Sequence, residues 1–230
     1  MRDLSLKIFC LATIVLISAV ARGQTNHLAF ETYINDNMVK HSVAGVSVAL
    51  IENNQIAHLY VAGDVNKDTA NNVKKDTVFQ VGSISMPVAA WAVMRLVQSG
   101  KLDLDEPVSS YLTRWQLPKS EFDASKVTLR RLLSHTAGLS LSGYPGFEAD
   151  QVLPSLEDSL SGNTQGAGAV FIQAEPGTAW SYSGGGYTLM QLIVEEVSGM
   201  RFSNYVSEFI LTPLAMYSAS YEPNAQLLAR

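Results

Sequence analysis

The chain has 230 residues, of which 47% are hydrophobic and 16% charged. That composition excludes a disordered or low-complexity protein and suits one large domain or two small lobes. Residues 1–23 set aside, 13 basic and 20 acidic residues remain, a net charge of −7 that argues against nucleic acid as a partner.

Those first 23 residues form a segment of their own. Arg2 and Lys7 precede an apolar run from Ile8 to Ala21, and Ala21-Arg22-Gly23 follows with small residues at a cleavage position. This is the pattern of a secretory signal peptide over residues 1–23. A transmembrane anchor is the other reading, but the run is short for a span, so no stable membrane span is expected after cleavage. Export to a bacterial periplasm or exterior follows as the expectation. Cys10, the one cysteine, lies inside the apolar run. The mature chain therefore has no disulfide, no thiol nucleophile and no cysteine metal ligand. The histidines His27, His41, His58 and His135 show no paired helical spacing for a metal. No cofactor is implied, and the oligomeric state is not fixed by the sequence.

Leu28 to Lys40 predicts an amphipathic helix with Leu28, Tyr33, Ile34 and Met38 as its apolar stripe. Val46, Val48 and Leu50 then alternate with Ser47 and Ala49, which predicts a strand over Val43–Ile51 with one buried face. Asn53-Asn54 makes a turn, and Gln55 to Val61 returns as the second strand of a hairpin. Gly63 to Asp76 is polar and turn-like, and Thr77 to Val81 is a short extended lead-in.

Ser83 opens the next helix, and between Ile84 and Val97 only Ser85, Pro87 and Arg95 are not apolar. A helix apolar all round is expected to be buried on most sides. Pro87 falls in the first turn, where its missing N–H costs little, and Gly100 fits the C-terminal cap. A hydroxyl at a helix N-terminus sits beside free N–H groups, and a side chain three residues on shares its face. A serine nucleophile needs a base at that place. Here the place holds Met86, whose thioether is at most a weak acceptor.

Further on, Thr128 caps a short helix to His135, and Leu139 to Gly168 is a long Gly- and Ser-rich loop. Tyr144 to Phe147 either line a cleft or pack on the surface. Gly186 to Val197 predicts a helix ended by Gly199, and Phe202 to Ile210 a last one ended by Thr212-Pro213. His135 reads as a structural hydrogen-bonder, and Asp103 and Asp105 as loop and cap residues. The order of elements gives an α/β (α+β) class, with an antiparallel sheet lobe and a helical lobe.

Four segments carry a resemblance. Phe79-Gln80-Val81-Gly82-Ser83-Ile84-Ser85 with Leu96 to Asp105 resembles the first motif region of the serine beta-lactamase-related family. That family includes class C beta-lactamases, low-molecular-weight penicillin-binding proteins, esterases and D-aminopeptidases. Val127 to Leu139 resembles its helical-lobe signature. Trp180-Ser181-Tyr182-Ser183-Gly184, after Pro176-Gly177, resembles its second motif, Tyr-x-Asn. Pro213-Leu214-Ala215-Met216 resembles its Pro-Leu-Gly-Met turn.

The resemblance implies a beta-lactamase/transpeptidase-like fold with no cofactor or metal. It implies acyl-serine chemistry on a small-molecule or peptide amide or ester, such as a beta-lactam, a D-amino peptide or an ester. Ser83 takes the place of the nucleophile and Tyr182 that of the proton-transferring tyrosine. Met86 stands at the motif lysine and Gly184 at the motif asparagine, both on the substrate-binding side. Lys126 is the last lysine and His135 the last histidine, so no Lys-Thr-Gly or His-x-Gly follows Tyr182. The expectation is a C-terminally truncated, partial domain over residues 24–230: a sheet lobe (24–82), a mainly helical lobe (83–212) and a shortened return segment (213–230), with the C-terminal strands missing. With the base lysine and third motif absent, hydrolysis is expected to be impaired. The alternative is a non-catalytic relative that binds a peptide or cell-wall-like ligand.

Overall fold

The computed structural model describes residues 27–66, 69–147, 151–164, 166–222 and 227. The signal segment of residues 1–23 lies outside the described residues. The chain divides into two compact units between Val78 and Phe79.

The N-terminal unit is a helix and an antiparallel sheet. Helix α1 covers residues 27–40. Strands β1 (Gly45–Glu52), β2 (Gln55–Asn66) and β3 (Thr69–Asn72) follow in the order β1-β2-β3. Asn53 and Asn54 both take left-handed φ, 52° and 61°. That is the geometry of a tight two-residue hairpin turn, whose twist matches the strands. Glu52 pairs with Gln55 and Gly45 with Gly63, with one irregularity after Leu50. Val46, Val48 and Leu50 share the more buried face, as their alternation predicts.

Two expectations change here. The polar stretch after Gly63 is not all turn: β2 runs on to Asn66, and Asp64 pairs with Asn72 of β3. Backbone-to-backbone pairing needs no apolar alternation, so the sequence pattern missed it. The stripe of α1 is also out of phase. Leu28 and Tyr33 are exposed, whereas Phe30, Glu31, Ile34 and Met38 are sheltered. Glu31 lies on the inner face because its carboxylate meets His58 Nε2 of β2 at 2.9 Å. Asn35 accepts the Tyr60 hydroxyl on the same side. Counting only apolar residues therefore rotated the predicted stripe.

The C-terminal unit is helical. It contains α2 (Ser85–Gln98), α3 (Leu129–Leu133), α4 (Leu156–Ser161), α5 (Gly184–Ser198) and α6 (Phe202–Val206), which widens into a π-turn over Ser207–Leu211. Helix α5 packs against α2, α3, α4 and α6. Leu189, Leu192 and Ile193 of α5 are fully buried with Ala92 and Val93 of α2, Leu129 of α3 and Leu160 of α4. Among the described residues no helix is long and apolar enough to cross a membrane.

Helix ends follow the sequence signals. Helix α2 stops where the Gly100 and Lys101 N–H groups bond back to Val97 and Leu96, with Gly100 at φ +71°. Thr128 caps α3 by accepting the Arg131 N–H, but α3 ends at Leu133 and His135 stands outside it at φ +56°. The segment expected as one long loop, 139–168, holds α4. Ser155 accepts the Asp158 N–H and donates to the Asp158 carboxylate, and Gly162 ends the helix at φ +77°. Helix α2 departs most from expectation: Ala89, Ala92, Val93 and Leu96 are buried, but Trp91 (52%) and Met94 (42%) are exposed, as is Ile84 (73%) just before its first residue. It presents one packed face, not a surround. Among the described residues the Thr77–Val81 lead-in pairs with no strand.

Two buried groups give tests. Leu189→Ala leaves a cavity at the centre of the helical unit and is expected to cost about 2–5 kcal/mol in denaturant unfolding. The Glu196 carboxylate, 8% exposed, accepts the Thr113 hydroxyl at 2.7 Å and the backbone N–H groups of Thr113 and Arg114. Burial raises its pKa, but those hydrogen bonds and the Arg114 charge together outweigh burial and hold it below the usual 4.5. A depressed folded-state value stabilises above the unfolded pKa and is lost as pH falls through the folded one. Glu196→Gln should therefore flatten the loss of stability below about pH 4.5, measured by thermal melts at several pH values.

Candidate active site

The site starts with a turn. Gly82, at φ +53°, lets the chain close the single turn Gly82–Ile84, where the Ile84 N–H reaches the Val81 carbonyl at 3.2 Å. Ile84 and Ser85 already have helical angles, so the turn runs straight into α2. Ser83 is thus placed two residues before the first residue of α2 and not inside it. It is exposed, and its hydroxyl makes no hydrogen bond among the described residues. Helix α2 has no side-chain cap at this end. Its first carbonyl, that of Ser85, accepts the hydroxyl of Tyr221. Burial pushes the Tyr221 phenol up to about 12, so it stays a donor.

Tyr182 arrives from 96 positions further along the chain than Met86. It precedes α5, whose cap is the buried Ser183. The Ser183 hydroxyl accepts the Gly186 N–H at 2.9 Å and donates to the Ser140 carbonyl at 2.8 Å. The Gly184 and Gly185 N–H groups donate to Ser142 and Leu141. The start of α5 is therefore laced to the backbone of residues 140–142, and this fixes the direction in which Tyr182 leaves the chain. Its hydroxyl donates to Met86 Sδ at 3.3 Å. That one contact brings the second-motif segment onto the first, a turn away from Ser83.

Gly184 proves to be a packing residue. It lies in the first turn of α5, and a β-carbon there would stand 2.8 Å from the Ser142 carbonyl oxygen and 3.1 Å from Gly143 Cα. An asparagine at this position requires the 142–143 backbone to move. Gly185 is equally tight, with Val170 at 2.6 Å from its would-be β-carbon. Gly184 is thus a helical glycine required by close backbone approach.

His135 takes a larger part than the sequence indicates. Its ring Nδ1 accepts the Ser183 N–H at 3.1 Å, and its carbonyl accepts the Ser181 N–H at 2.8 Å. The ring lies 4.6 Å from that of Tyr182 and 5.2 Å from that of Tyr187, with Trp180 edge-on at 6.1 Å. Burial lowers the His135 pKa. Burial, and then the neighbouring Tyr182, raise that of Tyr187, whose hydroxyl reaches the Leu133 carbonyl. Tyr144 turns to α4, donating to the Ser159 carbonyl at 3.2 Å. Asp105 pairs with Arg130 through two 2.7 Å bonds, and Asp103 accepts the Asp105 N–H.

Chemically the cluster is neutral. A hydroxyl, a thioether, a phenol and a half-buried imidazole can hold a polar carbonyl compound and shuttle little charge. Among the described residues no three His, Asp or Glu side chains form a group that could hold a metal ion.

The family model named Beta-lactamase matches residues 30–229. Penicillin-binding protein 4 of Amycolatopsis lactamdurans is 28% identical over 205 residues, 89% of this chain and 52% of that protein. Esterase EstB of Burkholderia gladioli is 24% identical over 186 residues, 78% of this chain and 47% of the esterase. The crystal structure of D-amino acid amidase from Ochrobactrum anthropi SV3 in complex with L-phenylalanine amide superposes with a TM-score of 0.64 at 28% identity, covering 79% of this chain and 48% of the amidase. The chain thus spans about half the length of these relatives. With its mixed helical and antiparallel fold and a motif pair joined at Tyr182 and Met86, the chain belongs to the Beta-lactamase family.

Proposed function

We propose that the chain carries a serine-hydrolase site for amides or esters in which Ser83 is the nucleophile, Tyr182 handles its proton and Met86 leaves the usual base position neutral. The single observation that carries this reading is the 3.3 Å contact from the Tyr182 hydroxyl to Met86 Sδ, one turn from Ser83. The relatives' names supply the substrate classes: a penicillin, an ester, a D-amino acid amide. Small-molecule or peptide carbonyl compounds of those kinds are the proposed substrates. The N-terminal pattern of Arg2 to Gly23 supports export of the protein to a bacterial periplasm or exterior.

In the acylation step the Ser83 oxygen attacks the carbonyl carbon, and the hydroxyl proton must leave as the bond forms. A lysine at 86 would accept it. A thioether does not, so the Ser83 proton passes to a lone pair of the Tyr182 oxygen while that phenol gives its own proton, now held toward Met86 Sδ, to water. General-base assistance is worth about 10²–10⁴ in rate, so acyl transfer is impaired by a factor of that order. One observation favours a second reading, binding without acylation: the nearest polar partner of Tyr182 is the neutral sulfur itself. Reversible binding of a penicillin that survives Ser83→Ala would identify that reading.

The test is covalent labelling with a fluorescent penicillin or a fluorophosphonate, followed by mass spectrometry. The unmodified chain should label slowly at Ser83 and Ser83→Ala should not label. Met86→Lys should raise the rate by about 10–10²-fold, short of full assistance because a half-buried ammonium needs further polar partners. Labelling that persists in Ser83→Ala, or a rate indifferent to Met86→Lys, overturns the proposal. Tyr182→Phe should lower labelling by about tenfold or more. Its unfolding free energy should change by less than about 1 kcal/mol, since sulfur is a weak acceptor.

A further inference from the structure

His135 bonds to the chain on both sides of Tyr182. Its carbonyl takes the N–H of Ser181 at 2.8 Å, and its ring Nδ1 takes the N–H of Ser183 at 3.1 Å. The two rings face each other at 4.6 Å, tilted by 33°. To make both bonds His135 adopts a left-handed backbone, φ +56°, immediately after α3. Left-handed backbone is uncommon outside glycine, and histidine is among the residues that adopt it more readily. Tyr182 has one further polar contact, the weak one to Met86 Sδ. Its direction therefore depends on the residues that flank it, and both are bonded to His135.

We infer that His135 is a positioning residue for Tyr182, holding both flanks when its ring is neutral and releasing the Ser183 flank when the ring is protonated. Because Nδ1 accepts, the neutral ring carries its proton on Nε2. A proton added at Nδ1 turns the acceptor into a donor facing the Ser183 N–H, and that bond is lost. The carbonyl bond to Ser181 does not titrate and remains. Release thus falls on the side that leads into the cap of α5, and Tyr182 gains freedom about its C-terminal peptide.

The titratable groups facing the ring are the phenols of Tyr182 and of Tyr187 on α5. The charged side chains of α3 are turned elsewhere: Arg130 to Asp105, and Arg131 to the Lys126 carbonyl. Burial holds the His135 pKa below its usual 6.5, with no charged neighbour contributing. The sign follows: the neutral ring adds stability above the unfolded value, and that stability is lost as pH falls through the folded one. The inference rests on the reading of Tyr182 as the site phenol, and adds to it the residue that aims that phenol.

The test is nuclear magnetic resonance on the full chain, titrated from about pH 7.5 to about pH 4.5. The Ser183 amide and the Tyr182 ring signals should move with the same midpoint as the His135 ring. The protection factor of the Ser183 amide should fall by about tenfold across that midpoint, and that of Ser181 by less. His135→Asn tolerates the left-handed backbone and offers Oδ1 where Nδ1 stood, without a titrating proton. It should keep Ser183 protected and make both responses flat. Ser183 and Tyr182 signals that stay still while His135 titrates would overturn the inference. So would an undiminished pH response in His135→Asn; should that variant not fold, the titration of the unmodified chain decides alone. Loss of Ser83 labelling with a normal titration counts against the proposed function only, and normal labelling with no titration response counts against His135 only.

Discussion

No β-carbon fits between the first turn of α5 and the backbone of residues 142–143. The helical unit depends on that close approach. It lets the Gly184 and Gly185 N–H groups bond to the loop carbonyls, which satisfies donors that a helix start leaves open. It seats Ser183 as a buried cap with both of its hydrogen-bonding functions used. From there α5 runs through the core, touching α2, α3, α4 and α6. The same approach sets where Tyr182 emerges. Packing and chemistry are therefore coupled at one helix end: the glycines serve the core, and by doing so they aim the phenol.

The electrostatic character of the site follows from Met86. Family members with a lysine at this place have a cation beside the serine and the tyrosine. Here the sulfur accepts a weak hydrogen bond and exerts no field. The remaining polarity comes from backbone groups and from a histidine whose burial favours the neutral state. A neutral, partly apolar site stabilises developing charge poorly. Restoring charge is not a matter of one side chain, because a lysine introduced at 86 meets a phenol, not an established polar network.

Much of the frame was legible. Asn53-Asn54, Gly100, Thr128 and Gly199 each mark a chain reversal or helix end through local backbone chemistry, and each is found where its residue type demands. The meeting of the first and second motif segments, through Tyr182 and Met86, was legible because four segments resembling the family's motifs occur in order. What failed was long-range. The polar strand β3 pairs through its backbone, so its side chains gave no sign. Glu31 sits on the inner face of α1 because of His58, a partner 27 residues away. The signals for α4, Ser155 and Asp158 before Gly162, were present but lay inside a Gly-rich stretch read as loop. The part played by His135 needed its left-handed backbone and its two bonds to be seen together.

The contact between Tyr221 and the Ser85 carbonyl has a consequence for biosynthesis. The two residues are separated by 136 positions, and Tyr182 is 96 positions from Met86. A chain made from its N-terminus exposes the Ser83 turn long before either phenol leaves the ribosome. During that interval the turn has only its own local bond from Ile84 to Val81. Closing such distant contacts costs chain entropy, and they form late. The Ser83 turn is thus made first, and its neighbours Met86 and Ser85 gain their phenol contacts only after the two later segments have emerged.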